Sequence, residues 1–224
     1  MTFTDIKESY RRAFSLAGDY KNLLTFLALT NIVFFFFGQW MIAQEIPGVV
    51  EFRKEVMKNI PDLLYLKPLA GPLAPSLILK IIYTFIFNLS VGAFLTTTAP
   101  GVVFFLPYLV SVMRAWSIGV IFYGLIPHPL LAIAFYGTFI LEFGAYVISA
   151  AAGIDIGLSL LLPSRKGKST RSDAFRTAFK NTYALYLIVA TLLLLGAVWE
   201  MAWLHIASIY LPHDLSLPGN KDML

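Results

Sequence analysis

The sequence predicts an all-α fold: a polytopic membrane helix bundle with about five transmembrane helices and further amphipathic helices at the membrane surface. Three observations carry this prediction. Hydrophobic residues make up 58% of the 224-residue chain and charged residues only 13%, against about 25% charged in soluble domains, and the mean hydropathy is +0.74. The apolar residues come in long runs, each of a length to span hydrocarbon. The basic residues flank those runs, so the sequence pI near 9.2 points to membrane topology and anionic headgroups as partners, and not to nucleic acid. A single membrane domain over 1–224 follows, with no room for a separate soluble one. The chain has no cysteine, so no disulfide and no thiolate metal site is expected.

The first element is TDIKESYRRAFSLAGDYKN, within 1–22. Ile6, Tyr10, Ala13, Phe14 and Ala17 recur with helical spacing while the basic residues fall largely elsewhere, which predicts a helix lying on the inner membrane surface. Asp5 or Thr4 is placed to cap its start. The first span is 23–43. No short apolar core with an Ala-x-Ala cleavage site precedes it, so a removable signal peptide is not expected. An outer loop, 44–75, holds its own amphipathic helix in IPGVVEFRKEVMKNI, with Val49, Phe52, Val56 and Ile60 on one face and Pro47 suited to the first turn. Its expected role is to cover the membrane domain, the other reading being a docking site for an external partner.

The second span is 77–98 and the third 102–126. The run 130–162 is apolar throughout and would be roughly 50 Å long as one helix, too long for one straight span. A break at Gly137 or Gly144 is therefore expected, giving a short re-entrant piece (130–136, within 130–141) and a span over 140–161. Counting that piece makes six helices; one strongly tilted, unbroken helix is the other reading. The last span is 183–204. Before it lies a basic cytoplasmic loop, 163–182, whose TRSDAFRTAFKNTY resembles the amino-terminal helix: Tyr10-Arg11-Arg12-Ala13-Phe14 against Phe175-Arg176-Thr177-Ala178-Phe179. Two elbows feeding spans in the same direction explain this better than a duplication.

Lysine and arginine set the orientation. Arg165, Lys166, Lys168, Arg171, Arg176 and Lys180 face Asp173 alone, and Lys7, Arg11, Arg12 and Lys21 lie at the amino terminus. In the outer loop, Arg53, Lys54, Lys58 and Lys67 are balanced by Glu45, Glu51, Glu55 and Asp62, and the tail adds Lys221. A multi-pass protein of the cell membrane is expected, amino terminus cytoplasmic and carboxyl terminus outside.

Ionisable groups in hydrocarbon cost a few kcal/mol each and usually face the bundle interior. Arg114, Glu142 and Asp155 are such groups, and Asn88 adds a polar side chain on the second span; these four form the candidate intramembrane polar site. Ser90 and Thr96 to Thr98 more commonly bond their own helix. Lys80 can snorkel outward, and Glu200 between Trp199 and Trp203 reads as an outer interface anchor. Ala145, Ser149, Gly153 and Gly157 recur every four residues, a doubled small-xxx-small pattern that permits close helix packing. Glu142, three residues before Ala145, shares that face, whereas Asp155 is rotated by about 200° from Gly153. Both acids are candidate partners for Arg114. The two readings of these groups are a site for an ion, proton or polar substrate and an ion pair that fixes helix register.

Enzymatic readings find no support: HExxH, GxSxG and a nucleotide-binding loop are absent, and Gly153–Gly157 lacks the Gly-x-Gly-Asp order of intramembrane aspartyl proteases. His128, His205 and His213 are expected near the outer surface, in poor mutual spacing for a metal. No metal or cofactor is expected.

Asn88-Leu89, Pro107, Gly119, Glu142-Phe-Gly-Ala145 and Ala151-Ala-Gly153-x-x-x-Gly157 together resemble the stage II sporulation protein M family of integral membrane proteins, over about 82–162. That family's recognisable segment is His-Gly-x-x-Glu-Leu-x-Ala leading into a small-residue helix, and Glu142, Ala145, Gly153 and Gly157 match it. Its His-Gly would fall on Thr138 and Phe139, and its Asn-Gly of the third span on Arg114 and Ala115. The resemblance singles out Glu142 over Asp155 and makes Arg114 a candidate charge partner for it. It implies a non-enzymatic scaffold or subunit of a membrane complex, with other membrane proteins or further copies of itself as partners. The alternative is a small channel or transporter whose polar path is lined by Glu142, Arg114 and Asp155.

Overall fold

The computed structural model describes residues 3–210, apart from Tyr65 and Pro127 and the side chains of Phe3, Thr4, Pro61 and Ala70. His213, Ser216 and Lys221 lie outside the described residues. The chain is helical, with no strand among the described residues. Its helices are α1 (Phe3–Asp19), α2 (Lys21–Ala43), α3 (Pro47–Asn59), α4 (Lys67–Ala70), α5 (Leu77–Phe87), α6 (Leu106–Phe122), α7 (Pro129–Leu161) and α8 (Arg171–Tyr210). Beyond α5 the chain continues as a π-helical stretch, Asn88–Thr98, and a 3-10 turn, Ala99–Val102. Four segments are long and apolar enough to cross a membrane: α2, Leu77–Val102, α7 and α8. The fifth apolar helix, α6, has 17 residues, about 25 Å.

Contacts between named residues give the directions. Phe26 stacks on Tyr108 and Gly38 abuts Val120, so α2 and α6 run parallel. Asn88 meets Glu142 and Gly101 meets Gly153, so α5 and its extension run parallel to α7. Gly137 meets Trp199 and Gly144 meets Leu192, so α7 and α8 are antiparallel. The chain thus passes along the bundle five times. Tyr20, Lys166 and Arg171 mark one end, here the basic end; Ala43, Tyr123 and His128 mark the other. Lipid-sized apolar faces remain on the outside of the bundle, as in α2, where Phe26, Leu29, Val33, Phe36, Phe37 and Trp40 are exposed.

Three boundaries differ from the sequence expectation. The helix α7 is unbroken over 33 residues, so the re-entrant piece is not formed and the single long helix is correct. Gly137 makes room instead of a kink: a Cβ there would sit 1.9 Å from Trp199 Nε1, which donates to Ile133 O at 3.0 Å. The third span ends early, at Phe122, because Gly124 adopts a left-handed conformation (φ 68°) that stops the helix. The basic segment before the last span is largely part of α8, which runs 40 residues without interruption.

The amphipathic segments find protein partners. Tyr10 shares a 2.6 Å hydrogen bond with Thr191, and Asn181 donates to Tyr20 at 3.4 Å. So α1 does not lie across the basic end as the surface helix expected from the sequence, but runs back lengthwise along α8 with Lys7, Glu8, Arg11 and Arg12 exposed. The helix α3 lies over the end of α2 and α6: Val49 is buried against Ile42 and Val120, and Phe52 packs on Trp116.

Candidate functional site

The half of the bundle toward the basic end is closed by backbone contact. Ala145, Ser149, Gly153 and Gly157 are all buried. A Cβ on Gly157 would lie 2.2 Å from Gly101 O, and one on Gly101 would lie 2.2 Å from Gly153 O. Only glycine permits that approach. Thr98 Oγ1 pins the seam, donating to Ser149 O at 2.9 Å and meeting Tyr186 Oη at 2.7 Å.

The four expected polar residues divide between two places. Asp155 lies at the basic end, 4% exposed, paired with Lys166 Nζ at 2.8 Å. Tyr20 Oη donates to the same carboxylate at 2.8 Å and accepts from Lys166 Nζ at 3.0 Å. This cluster joins the α1–α2 junction, α7 and the turn before α8. Burial raises the Tyr20 hydroxyl above its ordinary pKa, and the Asp155 charge adds to this. For Lys166 burial pulls downward, but the bonds and charges of Asp155 and Tyr20 outweigh it and the pKa is raised. Asp155 is therefore not a partner of Arg114.

The other three polar residues lie together in the opposite half. Asn88 Nδ2 donates to Glu142 Oε1 at 2.6 Å. Arg114 makes no ion pair with either acid among the described residues. Its guanidinium donates to Thr97 Oγ1 at 3.2 Å, Gly92 O at 3.1 Å and Thr96 Oγ1 at 2.9 Å, and its Cζ stands 4.0 Å from the centroid of the Tyr146 ring. The π-helical stretch explains this acceptor set. With i→i+5 bonding the turn is wide, and Gly92 O also accepts from Thr96 and Thr97 hydroxyls. Gly92 in turn leaves space for Tyr146, whose Oη would be 2.8 Å from a Cβ there. A half-buried cation is thus held by a carbonyl, two hydroxyls and a ring face, which satisfies it without a carboxylate in contact.

A cavity of about 310 Å³ opens beside these groups. Arg114, Glu142, Tyr146, Glu200, Asn31 and Ser111 supply its polar lining, and Ile118, Phe122, Leu131, Phe135, Phe139 and Leu204 its walls. Glu200, Tyr146, Thr138 and Asn31 were not among the residues singled out for the site. Glu200 reads in sequence as an interface anchor because two tryptophans flank it. The antiparallel register of α7 and α8 brings it inward, one turn beyond Gly196, where a Cβ would be 3.2 Å from Glu142 Cγ. Asn31 accepts from Ser111 Oγ at 2.9 Å and ties α2 to α6. His128, expected near the outer surface, caps α7 through Nδ1, which accepts from Leu130 N at 3.2 Å. No cluster of metal-binding side chains occurs among the described residues.

No curated protein and no solved structure matches the chain. The family model described as Stage II sporulation protein M matches residues 24–203, well beyond the central segment that carried the resemblance and across the polar cavity, the glycine seam and the first and last spans. The chain is an integral membrane protein that belongs to the stage II sporulation protein M family.

Proposed function

We propose that this protein is a non-enzymatic scaffold or subunit of a membrane complex in the cell membrane, amino terminus cytoplasmic and carboxyl terminus outside. The observation that supports this reading is the seam of Gly101, Gly153 and Gly157. It closes the bundle over the basic half, so the cavity ends at the level of Ser111 and Val147 and the chain offers a rigid shape instead of a continuous path. Partners then meet its outer apolar faces, as other membrane proteins or further copies, while anionic headgroups meet its basic end. The test is site-directed cross-linking in intact membranes, with single photo-reactive residues on the exposed face of α5 (Leu79, Ile82, Ile86) and on that of α2 (Val33, Phe37). A scaffold gives one defined protein adduct from one face; lipid adducts alone from every position overturn the reading.

The cavity supports a second reading, a small transporter, because it reaches Glu142, Glu200 and Arg114. Ser111→Cys, deep in the cavity, separates the two. A transporter exposes it to membrane-impermeant thiol reagents from each side in turn, and a scaffold from neither.

A further inference from the structure

The cavity is lined by more carboxyl groups than cations. Two carboxyl groups, Glu142 and Glu200, line it against a single cation, and the hydrogen bonds of the Arg114 guanidinium go to Gly92, Thr96 and Thr97. Glu142 accepts one hydrogen bond, from Asn88 at Oε1. The second oxygen of Glu142, both oxygens of Glu200 and the hydroxyl of Tyr146 accept none among the described residues. Thr138 Oγ1, also on the lining, is buried with no partner. A buried polar atom without a partner costs free energy, as Thr138 Oγ1 does here, and the unengaged oxygens of Glu142, Glu200 and Tyr146 line the same space.

The rest of the lining is apolar and aromatic. Phe135 and Phe139 stack 5.9 Å apart and Phe139 and Phe143 lie 5.4 Å apart, so a ladder of rings along α7 leads toward Glu142. Ring faces attract cations, more strongly when desolvated. At about 310 Å³ the space lies at the small end of ligand sites, fitting roughly a dozen non-hydrogen atoms.

We infer that this cavity binds a small amphipathic organic cation, a protonated primary amine on an apolar body, with the ammonium between Glu142 and Glu200 and the body along the phenylalanine ladder. The ammonium supplies a second cation beside the two carboxyl groups and three donors for the unengaged oxygens. The inference rests on the cavity being a binding site and on neither scaffolding nor transport: cross-linking can fail while the amine binds, and an amine that binds without crossing a vesicle membrane defeats the transport reading alone.

The experiment uses the full chain in phosphatidylcholine nanodiscs and three probes with one body: 4-phenylbutylamine, 4-phenylbutanol and 4-phenylbutyrate. Calorimetric titrations are corrected against empty nanodiscs. The amine should bind at least tenfold more tightly than the alcohol, and the carboxylate should not bind. Glu200→Gln should weaken the amine at least tenfold and leave the alcohol unchanged. Leu131→Trp, which fills the cavity mouth without touching either acid, should abolish both. Equal binding of amine and alcohol, or amine binding indifferent to either substitution in a variant that melts like the parent, overturns the inference.

Discussion

Arg114 stacks on Tyr146: the guanidinium carbon of α6 lies 4.0 Å from the ring centroid on α7, inside a bundle that presents hydrocarbon on its outer faces. The ring, and not the hydroxyl, makes this contact. Tyr146→Phe should therefore leave thermal stability in detergent nearly unchanged, whereas Tyr146→Leu should cost about 1–2 kcal/mol. Arg114→Lys should also destabilise, because a single ammonium cannot span Thr97, Gly92 and Thr96 as the planar fork does.

Two double-mutant cycles should differ. Asn88 and Glu142 are bonded directly, so Asn88→Ala and Glu142→Gln should couple by about 1 kcal/mol, in the range found between membrane helices. Arg114→Ala and Glu142→Gln interact only through space and should couple more weakly. Detergent melts of the single and double variants decide; the reverse order would contradict the geometry.

Glycines on one helix should respond differently to the same methyl group. Gly157→Ala drives a Cβ to 2.2 Å from Gly101 O and should cost about 1–3 kcal/mol by forcing the seam apart. Gly144→Ala meets only Leu192 Cδ1 at 3.5 Å and should be neutral or slightly stabilising through helix propensity. Equal losses in unfolding experiments would refute the seam.

The pair of Lys166 and Asp155 should show one sign of pH dependence. The pKa of Lys166 is raised in the folded chain from an ordinary 10.5, so its contribution is complete below about pH 10.5 and is lost as pH rises through the higher folded value. Lys166→Met leaves Asp155 buried without its cation and should cost about 3 kcal/mol at pH 7. The gap between parent and variant melting temperatures should persist from pH 7 to pH 9 and narrow only above that limit.

The proposed orientation is tested by two cysteines. With no native thiol, Ser164→Cys should label only from the cytoplasmic side and Ser216→Cys only from outside. Labelling of both from one side would reverse the assignment of an odd number of passes.

Much of this architecture is legible in the residues, since long apolar runs and charged flanks are one-dimensional properties. The row from Ala145 to Gly157 announces a close contact but not its partner, the stretch from Thr98 to Phe104. Gly137 illustrates what sequence cannot carry. A glycine in a long helix signals flexibility or missing volume equally well, and only the neighbouring helix, with Trp199 filling the gap, decides between them. That decision propagates. Because α7 does not break, its register against α8 is fixed over its whole length, and Glu200 comes to face Glu142 instead of the headgroups. The π-helical turn that aims the Gly92 carbonyl at Arg114 has no hydrophobic period by which to find it.

The contrast between α6 and α7 sets a boundary condition on the surrounding lipid. At 17 and 33 residues they are about 25 Å and 50 Å long, against a hydrocarbon thickness near 30 Å. The bilayer therefore meets a short apolar wall and a long one on neighbouring helices, and the long one must lean steeply or protrude. At fractions of a kcal/mol per Å of mismatch, the protein imposes a local gradient of membrane thickness. Lipids whose own lengths suit that gradient will collect around it.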